Sequence, residues 1–171
     1  MRAPFFAILV IVLVVVAAVF LRIALAGHDA KVWHVEPGEA SGCSSPNCFF
    51  MAPQGTPGKR IDAASAVYGV PAYEMAQAFA AFALAQRDTQ VVAGTPEGLH
   101  MTFVQRSPRL RAPDYISVRF VDIDEARSTI LVFSRSRFGY SDLGVNAERV
   151  KSWIGGLSSF EISAPVYADG Q

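Results

Sequence analysis

Hydrophobic and polar positions divide the chain into three regimes. From Phe5 to Leu21 every residue is apolar, FFAILVIVLVVVAAVFL, and after Arg22 the run resumes as Ile23-Ala24-Leu25-Ala26. At about 1.5 Å of rise per residue, the unbroken part is at the short end of a helical bilayer span. Ile23 to Ala26 lengthen it if Arg22 lays its stem along the apolar surface and carries its charge to the headgroups. Residues 1–26 are therefore expected to be a membrane anchor whose partner is the lipid bilayer, through Phe5 to Ala26. A cleaved signal peptide is the rival reading, because Ala24-Leu25-Ala26 fits a small-x-small cut site. The length of the run and its β-branched filling favour an uncleaved signal anchor. Arg2 ahead of the span favours a cytoplasmic start, with the bulk of the chain outside the cytoplasm.

The second regime, Gly27 to Gly58, carries five glycines and four prolines and has little periodicity. It reads as a linker over 27–46 that meets the folded body at Asn47-Cys48-Phe49-Phe50, with Trp33 placed to rest at a bilayer interface.

The third regime is patterned throughout. Pro71 to Gln86 repeats Ala72, Met75, Ala76, Phe79, Phe82 and Ala83 at helical spacing, behind a proline suited to a first turn. Period-two alternation then predicts strands over 89–93, 99–103, 114–121 and 128–137, with a polar turn at 122–127 joining the last two as an antiparallel hairpin. His100 falls opposite the Met101 side and reads as a solvated strand histidine. Val150, Trp153, Ile154 and Leu157 mark a second helix, expected to start at Asn146 and to end near Gly155-Gly156. These elements predict an α+β domain over 47–160: two layers, with a mainly antiparallel four-stranded sheet and two packed helices. Residues 161–171 are expected to be a C-terminal tail.

Composition changes this picture in one respect. The fifteen basic and fifteen acidic residues balance, but the anchor takes Arg2 and Arg22, so the remainder has thirteen against fifteen and a formal charge of −2. Such a surface argues against nucleic acid as a partner. Cys43 and Cys48 are the only cysteines. In an oxidising compartment they can close a small disulfide loop, ahead of free thiols as a reading. A metal site is not expected, because two thiolates need two more ligands and His28, His34 and His100 show no ligand spacing.

The densest chemistry is SRSRFGYSDLGVNAERVKSWIGGL, Ser134 to Leu157. Alternation puts Arg135 and Arg137 on the face shared with Leu131 and Phe133, and Ser134 and Ser136 on the face of Ile130 and Val132. Asn146 suits a helix N-cap, and Asp142 lies near the positive end of that helix. Two readings follow. Asp142 pairs with Arg135 or Arg137 as a structural lock, or Arg135, Arg137, Ser141 and the amides at the helix start converge on an anion.

Asn47-Cys48, the strand YISVRFVDID from Tyr115, and above all SRSRFGYSDLGVNAERV from Ser134 to Val150 resemble the mainly bacterial family of unknown function DUF1499. That resemblance implies a shared fold and brings no established activity. Catalytic triads, phosphate-cradling loops and paired carboxylates are not recognisable, and no cofactor is implied. The leading expectation is a single-pass protein of the bacterial inner membrane. Its periplasmic domain would be a binding or interaction module of the cell envelope, with an anionic ligand or an envelope protein as partner. The alternative is an enzyme acting on an anionic lipid or envelope substrate through Arg135, Arg137 and Asp142.

Overall fold

The computed structural model describes residues 2–39, 45–57, 61–163 and 166–167. Helix α1, Arg2–Ala24, contains the apolar run, and over Phe6–Ala24 it is long and apolar enough to cross a membrane. None of that stretch is buried against the rest of the protein. A one-turn helix α2, Ala30–Trp33, follows after five residues.

The body is one mixed sheet. Its backbone is the antiparallel series β4 (Thr89–Thr95), β5 (His100–Arg106), β6 (Pro113–Asp122), β7 (Ser128–Ser136) and β1 (Cys48–Ala52), in that spatial order. The short strands β2 (Ala63–Ala64) and β9 (Val166–Tyr167) extend it beyond β1, with β2 parallel to β1. Strand β3 (Val67–Tyr68) pairs with the far end of β7 and with β8 (Glu161–Ser163). Four strands were expected, and among the described residues the sheet has nine. The additional ones are mostly pairs or triplets of residues, too short to display an alternating period, and β1 lies in a segment that its glycines and prolines disguise. For the same reason residues read as a tail contribute β8 and β9.

Helices α3 (Ala72–Ala85) and α4 (Val145–Gly155) cover one face of this sheet. The core between them takes Met75, Phe79 and Ala83 from α3, Val150, Trp153 and Ile154 from α4, and Met101, Phe103, Ile116, Val118, Phe120, Ile130 and Val132 from the strands. Phe79 is the centre of this packing, with ring centroids 5.6–5.8 Å from Phe103, Phe120 and Trp153. Proline at the start of α3 offers no side-chain cap, and Asp122 at the end of β6 fills that role, its Oδ1 accepting from Ala72 N at 2.6 Å. A carboxylate there also faces the positive end of the helix.

The opposite face of the sheet is covered by the chain that leaves α1. Residues 27–39, expected to belong to a linker, run across it to Glu36 and beyond. His100, expected in solvent, lies under this strap, its Nε2 donating to Val35 O at 3.1 Å. A Gly/Pro-rich segment is held there by side chains of the sheet and has no periodicity of its own to announce the contact.

Candidate functional site

Antiparallel register sorts the polar residues of the Ser134–Leu157 stretch between the two faces. Ser134 pairs with Ile116 and Phe49 on the helix side, and Arg135 pairs with Tyr115 and Cys48 on the strap side. One step further, Ser136 is opposite Asp114, which is opposite Gln105. Each face therefore receives its own polar set.

On the helix side the centre is Asn146, fully buried. Its Oδ1 accepts from Ser134 Oγ and Arg149 Nη1, both at 2.6 Å. Its Nδ2 donates to Asn47 O at 2.9 Å, Ser136 Oγ at 3.1 Å and Asp142 Oδ2 at 2.6 Å. Helix α4 begins one residue earlier than expected, with Gly144 in the left-handed conformation as its cap residue, so Asn146 sits inside the first turn. Asp142 supplies the capping carboxylate instead: Oδ2 accepts from Asn146 N at 2.8 Å and Oδ1 from Gly144 N at 3.0 Å. Arg149 then pairs with Asp114 at 2.6 Å and donates to Gln105 Oε1 at 2.7 Å, in a setting where both charged side chains are nearly sealed from solvent. A strand-to-helix lock exists here, and its arginine is Arg149. Sequence reading missed Arg149 and Asp114. The signal that could have found Arg149 is its place one turn after Asn146 on the same helix face.

On the strap side stand Arg106, Tyr115, Arg119, Arg135 and Arg137. Arg106 reaches the end of α1: Nη1 donates to Ala24 O at 3.0 Å, and Nη2 to Ala26 O at 2.7 Å and to His28 Nε2 at 3.0 Å. Ala24 O is one of the carbonyls left without an intrahelical partner at the C-terminus of α1, which a cation satisfies well. Arg137 Nη1 donates to Gly27 O at 2.7 Å. Tyr115 is hydrogen-bonded to His28 Nδ1 at 2.9 Å, and Trp33 stacks flat on its ring, 3.8 Å away at 6°. The guanidinium carbons of Arg135 and Arg137 lie 4.9 and 5.5 Å from the Trp33 ring centroid, within the range of a cation–π attraction. Further along, His34 Nδ1 is 2.9 Å from Thr102 Oγ1, and His34 stacks on His100 at 3.9 Å. Glu36 closes the strap on Arg119, accepting from Nε at 2.9 Å and from Nη2.

The charges on this side are uneven. Arg119 has Glu36, but among the described residues neither Arg106, Arg135 nor Arg137 forms an ion pair with a carboxylate. Backbone carbonyls and aromatic faces hold these three. Arg135 is the least provided for. Its Nε is buried without a hydrogen-bond partner, and its Nη2 contacts to Val32 O and Trp33 O are long, at 3.4 Å. Burial holds its pKa below the ordinary arginine value, with only Tyr115 acting in the other direction. All three histidines of the chain are depressed as well, chiefly by desolvation: His28 also by Arg106 and Arg137, His34 by Arg119, and His100 by His34.

Of the five residues first singled out, Asp142 and Asn146 belong to the helix-side network and Arg135 and Arg137 to the strap side. The hydroxyl of exposed Ser141 accepts from Leu143 N at 3.2 Å. The sheet separates the two pairs, and Asp142 makes its contacts with Asn146 and Gly144 in place of an arginine. Cys48 is disulfide-bonded. Cys43, expected as its partner, lies outside the described residues. Among the described residues no group of three or more His, Cys, Asp or Glu side chains is disposed to hold a metal ion.

The structure thus defines an α+β domain strapped, on the face away from its helices, by the segment that follows one apolar N-terminal helix. The chain belongs to the family described as protein of unknown function (DUF1499), whose model matches residues 40–157. No curated protein and no solved structure matches the chain. The matched region contains strands β1 to β7 and both packing helices, while α1 and the strap precede it and β8 and β9 follow it.

Proposed function

We propose that this protein is a membrane-anchored binding module of the bacterial cell envelope, with its domain outside the cytoplasm. The observation that carries this reading is the docking of the anchor itself: Arg106 clamps Ala24 O and Ala26 O at the end of α1. A flexible tether lets a domain wander from the bilayer. Carbonyl–guanidinium bonds at and just beyond the end of the span hold the end of the sheet that carries Arg106 and Arg137, with Trp33 of the strap against it, at headgroup level. The disulfide-bonded state of Cys48 supports an oxidising compartment. A binding role is preferred because the polar groups that converge are satisfied structural bonds on one face and, on the other, three arginines without a carboxylate partner among the described residues.

The depth of Trp33 tests the reading. In proteoliposomes containing lipids brominated near the top of the acyl chains, the full-length protein is expected to lose fluorescence that Trp33→Phe does not have to lose. Trp153, buried in the core, gives the constant background. Equal quenching of the two proteins would mean that Trp33 stands away from the bilayer, and the anchored arrangement would be wrong.

A further inference from the structure

We infer that Arg106, Arg135 and Arg137, grouped around the Tyr115–Trp33 stack at the end of α1, form a binding site for the phosphate of an anionic phospholipid headgroup. The inference rests on the anchored reading above and adds the ligand to it.

Three guanidinium groups converge on a short stretch of backbone. Arg106 and Arg137 hold the adjacent carbonyls of Ala26 and Gly27, and Arg135 and Arg137 share the Trp33 ring. Like charges brought together in a half-buried place repel, and a carbonyl dipole offsets only part of that cost. A monoanion that accepts forked hydrogen bonds removes the repulsion and satisfies free N–H groups at once. Arg135 has the donor to offer, since its buried Nε has no partner. The bond from Arg137 Nη1 to Gly27 O and the second bond of Arg106 Nη1, to Arg111 O at 2.7 Å, lie at exposed positions, so a ligand can approach these cations from outside.

Topology selects a lipid over a soluble phosphate. The register of β5, β6 and β7 places Arg106, Pro113 and Ser136 at the same end of the sheet, next to the end of the span. Two loops leave from that end. Residues 107–112 expose Leu110, and the turn after Arg137 exposes Tyr140 and Leu143, the last at 93%. Apolar tips flanking a basic cluster beside a membrane helix form the rim expected of a protein edge dipped into the headgroup layer.

The test uses the full-length protein in a neutral detergent, titrated with phosphatidylglycerol, phosphatidylcholine or inorganic phosphate, with lipid adducts counted by native mass spectrometry and melting followed in parallel. Phosphatidylglycerol is expected to form a retained adduct and raise the melting temperature, and phosphatidylcholine and phosphate to do neither. Arg135→Gln and Arg137→Gln should weaken the adduct by about tenfold each, while Arg127→Gln, at an exposed pair with Asp124, leaves it unchanged. Arg135→Lys keeps a charge but loses the fork, and serves if the glutamine variant does not fold. Undiminished adducts in Arg137→Gln and Arg135→Lys overturn the site. Equal stabilisation by inorganic phosphate overturns the lipid as its ligand. Trp33 quenching without any phosphatidylglycerol preference removes this site and leaves the anchored module standing, whereas a specific adduct without quenching removes the anchored reading.

Discussion

A buried guanidinium is costly unless its partners are complete, and the two faces of the sheet treat arginine in opposite ways. Arg149 is given a carboxylate, two amide oxygens and a hydroxyl. Removing one member of such a pair leaves the other charge stranded, which generally costs about 3–5 kcal/mol. Arg149→Met should therefore lower unfolding free energy by roughly that amount in urea titrations of the detergent-solubilised chain. Adding Asp114→Asn to it should return part of the loss, because the stranded carboxylate is gone. Additive losses in the double variant would show that the pair is not the coupled unit described here. At this scale the sequence was readable in its alternation and blind to its partners. Ser134 and Ser136 were assigned to the face of Ile130 and Val132, and Arg135 and Arg137 to that of Leu131 and Phe133, which the register reproduces. Nothing local in AERV tells that Arg149 will meet a carboxylate 35 positions earlier, so its partner was not legible.

The elements show a similar division between what local chemistry dictates and what contact decides. Gly155-Gly156 was expected to close the second helix, and α4 ends at Gly155 with Gly156 as its cap residue. The two glycines have different reasons. A Cβ on Gly155 meets open space, but a Cβ on Gly156 would lie 2.2–2.6 Å from three ring atoms of Phe82, where α4 approaches α3. Gly155→Ala should be neutral or stabilise by about 0.4–1 kcal/mol, because it restricts the unfolded chain at a helical position. Gly156→Ala should destabilise by about 1–3 kcal/mol, because the Phe82 ring must turn out of its packing. Thermal unfolding of the two variants side by side separates these outcomes, and equal effects would discredit the close approach. The long amphipathic elements were legible because a stripe of apolar residues at fixed spacing has one use. Strands β2, β3, β8 and β9 were not, because two or three residues cannot express a period and their pairing is imposed by β1 and β7.

On the scale of the whole molecule, the decisive relation is between the strap and the sheet, and it ought to depend on pH. Every histidine of the chain lies in this interface. Arg106 can only donate, so His28 must accept through Nε2 and carry its proton on Nδ1 toward Tyr115. A second proton would cancel that acceptor and add charge beside Arg106 and Arg137. His34 and His100 stack on each other next to Arg119, with Glu36 as the one nearby carboxylate favouring their charged forms. All three pKa values are lowered in the docked state from 6.5. The released strap therefore binds protons more readily than the docked one, and stability of docking rises with pH wherever the two differ. The histidines' contribution to docking is complete above their ordinary value of about 6.5 and is lost as pH falls below it toward the depressed values. Hydrogen exchange corrected for intrinsic rates should show protection at Val32 to Val35 falling between about pH 7.5 and 5.5, while amides of α3 keep theirs. His28→Gln, which retains an acceptor but cannot charge, should blunt the fall. Protection that stays level across this range would mean that the strap is held by Arg106, Arg119 and the Trp33 stack alone, with the histidines as passive filling.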